Sequence, residues 1–367
     1  MLAGELRDLL RTSILRNHQS LLSNLRRFIT GLAIGIFCCV LPIYATEHSP
    51  RAIKGLLVST FYLFEVVGSW LAFWISYGTR QHVSSTSDAQ WIIPLAIQTH
   101  PVFIFAFSLY GLPDTPRSLV HRGKTDVAHM VLERTSGLDH EHSYVTNELA
   151  RIQSQIHVNS RRMPSRKLAF KVLTSRRRLL IAIGLMIAQG MSGYYSVFYA
   201  AIIFFMRNGY SGFEIQMYTN VLNGALEIVS SIIFTLFMID RLGRRRSLLW
   251  TIPVQAICLL AVGTLSAVAD IVDWPAAKYV SYAVFGFAYL CDCFFRLGLG
   301  PVPVIYIAEI SSTQLKAFTV GIAVAVQWLL LAGLSRALPY MLFYIGRSGN
   351  STSQQEIETA WHADKSL

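Results

Sequence analysis

From Leu248 to Ala269 the chain runs 22 residues without a charged side chain, and seven other stretches are nearly as apolar. A helix needs about 20 mainly apolar residues to cross a hydrocarbon core, and backbone inside lipid must satisfy its own hydrogen bonds. Together these constraints leave an all-α integral membrane protein as the fold class. The eight expected spans are Phe28–Ala45, Gly55–Tyr77, Trp91–Leu112, Leu179–Met206, Met217–Ile239, Leu248–Ala269, Tyr279–Glu309 and Ala317–Ile345. Composition agrees: 53% of residues are hydrophobic and only 14% charged, where soluble domains carry about 25%.

The charge is unevenly placed. Lys and Arg exceed Asp and Glu by 32 to 21, and the basic residues crowd into 117–178 and the turn DRLGRRRS at 240–247. Basic loops mark the cytoplasmic side, so residues 45–54, 113–178, 240–247 and 309–316 are expected there. A nucleic-acid partner is excluded because the charge lies between spans and not on one face. The alternation strands residues 1–27, with Arg7, Arg11, Arg16, Arg26 and Arg27, on the other side. The expected divisions are a polar segment 1–27, three spans in 28–112, a linker in 113–178, five spans in 179–345 and a polar tail in 346–367. Within the linker, Thr125 is expected to cap a short helix that Gly137 ends, and Asn147–Val158 reads as a second amphipathic helix. Cys38, Cys39, Cys258, Cys291 and Cys293 all sit in apolar runs and suggest no disulfide framework. His140-Glu141-His142 lacks a third ligand, so no metal or other cofactor is expected. The first 20 residues lack the apolar core of a signal peptide.

Two span ends resemble each other. Pro42, Tyr44, Glu47 and Lys54 in PIYATEHSPRAIK repeat as Pro303, Tyr306, Glu309 and Lys316 in PVIYIAEISSTQLK. Such repetition is expected of carriers built from two related halves. Together with QWIIPLAIQ at 90–98, LPDTPRSLV at 112–120, DRLGRRRS and GPVPVIYIAEI at 300–310, these segments resemble the signature motifs of the sugar-porter family of the major facilitator superfamily. The texture is nearest its fungal hexose and quinate permeases. The resemblance implies the major facilitator fold: twelve spans in two six-helix halves, working by alternating access. On that plan the present spans correspond to numbers four to eleven, with three missing before the first and one after the last.

The resemblance also implies roles. Glu47, Lys54, Arg117, Asp240, Arg244, Arg245, Glu309 and Lys316 match charge clusters that latch the cytoplasmic side. Ion pairs remade as two bundles rock can bias a two-state equilibrium. For substrate, QGMSGYY at 189–195 keeps Gln189 and places Tyr195 where the family has asparagine. Tyr62 stands where a glutamine is usual, and Trp328 matches, with Gln327 beside it. Glu65 follows Tyr62 on the same helical face. Asp292 and Arg296, four apart, are expected to neutralise each other.

The function implied is facilitative or secondary-active transport of a sugar or related polyol or quinate, with protons as candidate co-substrate and the plasma membrane as location. No nucleophile–base pair or nucleotide loop suggests an enzyme. The alternative is a truncated, non-transporting remnant or regulatory membrane protein. On the twelve-span plan, eight spans are not expected to transport alone, since Tyr62 and Glu65 would face lipid. The alternation also puts the tail, with the glycosylation sequon Asn350-Ser351-Thr352, outside. A cysteine at position 355 (Gln355→Cys) should then react with a membrane-impermeant maleimide on intact cells, and labelling only after permeabilisation would reverse the topology.

Overall fold

The computed structural model describes residues 25, 27–50, 53–84, 87–139, 141–160, 173–194, 197, 217–269, 276–311 and 315–345. Within them the structure is helical and contains no strand. Helices α1 (Arg27–His48), α2 (Lys54–His82) and α3 (Ala89–Ser108, continued by a 3-10 turn to Gly111) form the first half. The linker carries α4 (Pro116–His121), α5 (Thr125–Ser136) and α6 (Ser143–Ser160). The second half comprises α7 (Leu173–Gly190), α8 (Asn223–Ile233), α9 (Gly243–Ala269), α10 (Ala276–Arg296), α11 (Pro301–Ile310) and α12 (Lys316–Ile345).

Seven helical segments among the described residues are long and apolar enough to cross a membrane, against the eight expected. The expected fourth span, Leu179–Met206, supplies the difference. Its helix α7 begins earlier, at Leu173, and takes in Arg176, Arg177 and Arg178. It stops at Gly190, and Gly193 then adopts φ +76°, a left-handed conformation that ends the helix. A Cβ on Gly193 would also stand 3.0 Å from Leu259 Cδ2, so α9 approaches there as closely as glycine allows. Residues 195, 196 and 198–206 of that span lie outside the described residues.

The other segments depart from single straight helices for local reasons. π-turns at Met217–Leu222 and Phe234–Met238 flank α8. The expected span Tyr279–Glu309 bends between α10 and α11 at residues 297–300, where Pro301 restarts the helix at its first turn. In the linker, Thr115 caps α4 by accepting from Ser118 N–H. Thr125 is not a cap as expected; it is the first residue of α5, whose N-terminus is favoured by Asp126 and whose C-terminus closes on Gly137 at φ +66°. The second amphipathic helix is longer than expected, at Ser143–Ser160. Leu119, Ala128, Val131, Leu132, Val145 and Ile152 give α4–α6 a small apolar core of their own.

The two halves meet through α1 and α2. Thiol-bearing Cys38 and Cys39, with Ile43 and Tyr62, pack on Ala182, Met186, Val304, Ile307 and Val320 of α7, α11 and α12. Helix α2 runs against α8, and Trp70 Nε1 donates to Val221 O at 3.2 Å. By contrast α3 has no buried residue, and Phe103, Phe107 and Tyr110 are 73%, 82% and 93% exposed. Apolar rings left outward in this way are the surface a lipid solvent rewards, so the chain is an integral multi-pass membrane protein.

Where α2 crosses α8 the fit is tight. A Cβ on Gly224 would lie 2.2 Å from Trp70 Cδ1, closer than any packing tolerates. Gly224→Val should therefore force the halves apart and cost about 1–3 kcal/mol of stability. Adding Trp70→Ala should recover part of the loss, as read from thermal midpoints of the purified protein in detergent; independent, additive losses would show that the contact is not shared.

Candidate functional site

Between the halves lies a cavity of about 660 Å3. From the first half it is lined by residues of α1, α2 and α3, including Cys38, Tyr62, Glu65 and Phe105. From the second come Gln189, Tyr194, Arg296, Gly300, Gln327 and Trp328. Five of the residues singled out for substrate from the sequence thus line one cavity from its two sides: Tyr62, Glu65, Gln189, Gln327 and Trp328. Tyr195 lies outside the described residues, and its neighbour Tyr194 reaches the cavity instead.

Backbone breaks explain how the polar groups arrive there. Gln189 sits on the last turn of α7, 4% exposed, and its Nε2 donates to Gly300 O at 2.6 Å, the carbonyl freed where α10 gives way to α11. Gln327 Nε2 on α12 donates to Gln189 Oε1 at 3.1 Å. The two amides therefore hold each other, and Trp328, next in sequence and about half exposed, offers an apolar face to the same space.

Behind the wall the structure corrects one expectation. Arg296 does not turn to Asp292; its Nη2 donates to Glu227 Oε2 at 3.0 Å and to Tyr194 OH at 3.1 Å. Asn223 Nδ2 and Tyr194 OH both donate to Glu227 Oε1, at 2.8 and 3.2 Å. Glu227 collects three donors, whereas neither oxygen of the buried Asp292 has a partner within hydrogen-bond distance among the described residues. The reason is competition. A carboxylate already aligned by Asn223 and Tyr194 offers the guanidinium a complete site, which an i, i+4 neighbour on the same helix cannot match. The Arg296 guanidinium lies 5.5 Å from the Tyr194 ring centre, and that ring stacks on Phe295 at 4.3 Å. Glu227, Asn223 and Tyr194 were not singled out from the sequence for this site. The available signal was a lone acid in one apolar run and a lone arginine in another, each costly in lipid unless paired.

A second charge cluster gathers at the basic edge of the bundle. Gly243, at φ +75°, turns the chain from α8 into α9 and aims Arg244 at the end of α11. Arg244 Nη2 pairs with Glu309 Oε1 at 2.7 Å. Lys316, at the start of α12, donates to Thr46 Oγ1 of α1 and lies in the fields of Glu47, Lys54, Arg117 and Glu309. Arg117 donates to Gln155 of α6; burial pushes its guanidinium below the ordinary range, while Glu47 and Glu148 pull it back up. Tyr44 OH donates to Pro113 O at 3.0 Å, tying α1 to the linker. Arg245 stays out of the cluster, exposed and without a hydrogen bond or ion pair among the described residues. Successive helical residues point about 100° apart, so Arg244 and Arg245 cannot both face Glu309. The Asp240 side chain lies outside the described residues.

Residues 13–352 match the family described as sugar (and other) transporter. The chain belongs to that family. Among its relatives, a probable quinate permease of Aspergillus fumigatus is 28% identical over 322 residues, covering 86% of this chain and 59% of the relative. A probable glucose transporter of Neurospora crassa, rco-3, is 28% identical over 318 residues, covering 86% of this chain and 52% of the relative. This member of the sugar-transporter family thus spans less than two thirds of the length of these curated relatives. The crystal structure of a double-tryptophan mutant of XylE superposes with a TM-score of 0.68 at 24% identity, over 82% of this chain and 60% of that one. The partially occluded inward-open conformation of the xylose transporter XylE from E. coli gives 0.60 at 22% identity over the same shares. The fold is therefore that of the major facilitator superfamily.

The two ion pairs should differ sharply in worth. Arg296 and Glu227 are each 12% exposed, whereas Arg244 and Glu309 are 26% and 30% exposed. Glu227→Ala leaves a buried guanidinium without its anion and should cost about 3–5 kcal/mol. Glu309→Ala, at a half-wet edge, should cost under about 1 kcal/mol. Thermal midpoints of the two variants in detergent check the order, and equal losses would contradict it.

Proposed function

We infer that this chain serves the transport of a small polyhydroxylated solute, a sugar or related polyol or quinate, across the plasma membrane by alternating access. The observation that carries this reading is the cavity between the halves. Its volume falls within the range of about 300–1,000 Å3 typical of small-molecule sites. Its wall combines two mutually held glutamines, a tyrosine, a carboxyl group and an indole face. Desolvated hydroxyls need paired donors and acceptors, and the C–H faces of a ring solute suit an aromatic.

The basic-edge cluster supports the second part of the reading. Glu47 and Thr46 belong to the first half, Glu309, Arg244 and Lys316 to the second, and Arg117 to the linker. The Lys316–Thr46 contact joins the two halves, and Tyr44–Pro113 ties the first half to the linker. Rocking one half against the other must break the former, as a latch requires. Protons are the proposed co-substrate, since Glu65 and Asp292 place carboxyl groups at or just behind the solute's path.

Gln189 joins two other members of the lining by hydrogen bonds. In the purified chain, Gln189→Ala should weaken equilibrium binding of labelled glucose or quinate about tenfold, consistent with the loss of one or two buried hydrogen bonds. Absence of saturable binding by any hexose, polyol or quinate would refute the reading.

A further inference from the structure

Three charged side chains at or beside the cavity decide what it will hold. Arg296 reaches the wall, but its charge is committed. Its Nη2 serves Glu227 and Tyr194 at 3.0 and 3.1 Å, and its guanidinium lies over the stacked rings of Tyr194 and Phe295. Glu65 differs in every respect. It stands on the wall from α2, it is accessible, and no hydrogen bond or ion pair engages it among the described residues. Its charged neighbours are Arg296, which attracts it, and Glu227, which repels it. With Glu65 ionised, Glu65 on the wall and Glu227 next to it outnumber the single Arg296 guanidinium, and Asp292, buried beside Glu227, supplies no cation.

The Gln189 amide cannot take over the role. Gln189 has given its Nε2 to Gly300 and its Oε1 to Gln327. Glu65 is thus the strong acceptor left without an internal donor. We propose that Glu65 is the specificity-determining residue of the cavity, selecting uncharged solutes with adjacent hydroxyls over solutes that carry a carboxylate. Two carboxylate oxygens accept in parallel from two neighbouring hydroxyls, and hydrogen bonds to an ionised acceptor are about twice as strong as neutral ones. A solute carboxylate brought to the same wall would meet a like charge away from bulk water, with the one nearby guanidinium already bound to Glu227. Rejection by an unpaired or like charge is a stronger filter than any apolar misfit.

The inference rests on the transporter reading of the cavity and makes a narrower claim. Calorimetric binding of D-glucose, myo-inositol and quinate to the purified chain in nanodiscs tests it, alongside Glu65→Gln and Glu65→Asp. The neutral polyols should bind at least about tenfold more tightly than quinate. Glu65→Gln should weaken the polyols and strengthen quinate, each by about threefold, erasing a roughly tenfold preference, while Glu65→Asp should keep it. Thermal midpoints show whether each variant is folded, and the Asp variant carries the comparison if the Gln variant is not. Quinate bound as well as glucose by the parent chain, or a preference unchanged in Glu65→Gln, overturns this proposal and leaves the transporter reading standing. Failure of all three solutes to bind removes both.

Discussion

A guanidinium inside a bilayer needs an anion equally deep, and the Arg296–Glu227 pair meets that requirement for the second half of the protein. The pair joins α10 to α8, and Tyr194, beyond the break after α7, completes it from a third segment. Three helical segments are thereby joined at one point by charge-assisted bonds. The stacking of Tyr194 on Phe295 makes the same junction an aromatic plate along the cavity. Separating α8 from α10 means breaking a buried ion pair, and moving the Tyr194 segment means breaking its hydrogen bonds to that pair.

Glycine sets how closely the remaining helices approach. Gly224 admits the Trp70 indole between the halves, and Gly298 lies so near Thr251 of α9 that a side chain there would overlap its hydroxyl. Without a strong hydrophobic drive between helices in lipid, close backbone approach supplies the dispersion contacts that hold them. The two kinds of contact divide the labour. Charges specify which segments meet, and small residues decide how tightly. The outcome is a dense second half, a sparser first half and, between them, a largely apolar cavity carrying a few polar groups.

The cavity and the basic-edge cluster are physically linked through α11. Its start, Gly300, receives Gln189 in the wall, and its end, Glu309, receives Arg244 at the edge. One short helix thus makes contacts at both sites.

Much of this was legible in the residues. Uncharged runs of membrane length required helices, because lipid offers the backbone no other partner. The basic turns, the repeated Pro-Tyr-Glu-Lys span ends and the family motifs placed Gln189, Gln327, Trp328, Tyr62 and Glu65 in one candidate set, and Arg244 with Glu309 in another. What the sequence could not decide were choices between partners. Helical periodicity puts Asp292 beside Arg296, yet Glu227, 69 positions away, takes the guanidinium because Asn223 and Tyr194 have already aligned its oxygens. Periodicity likewise cannot say which arginine of the 240–247 turn faces Glu309; the left-handed Gly243 aims Arg244 inward and leaves Arg245 outside. Local spacing follows from the chain itself, whereas the stronger of two competing contacts exists only once distant helices have been brought together.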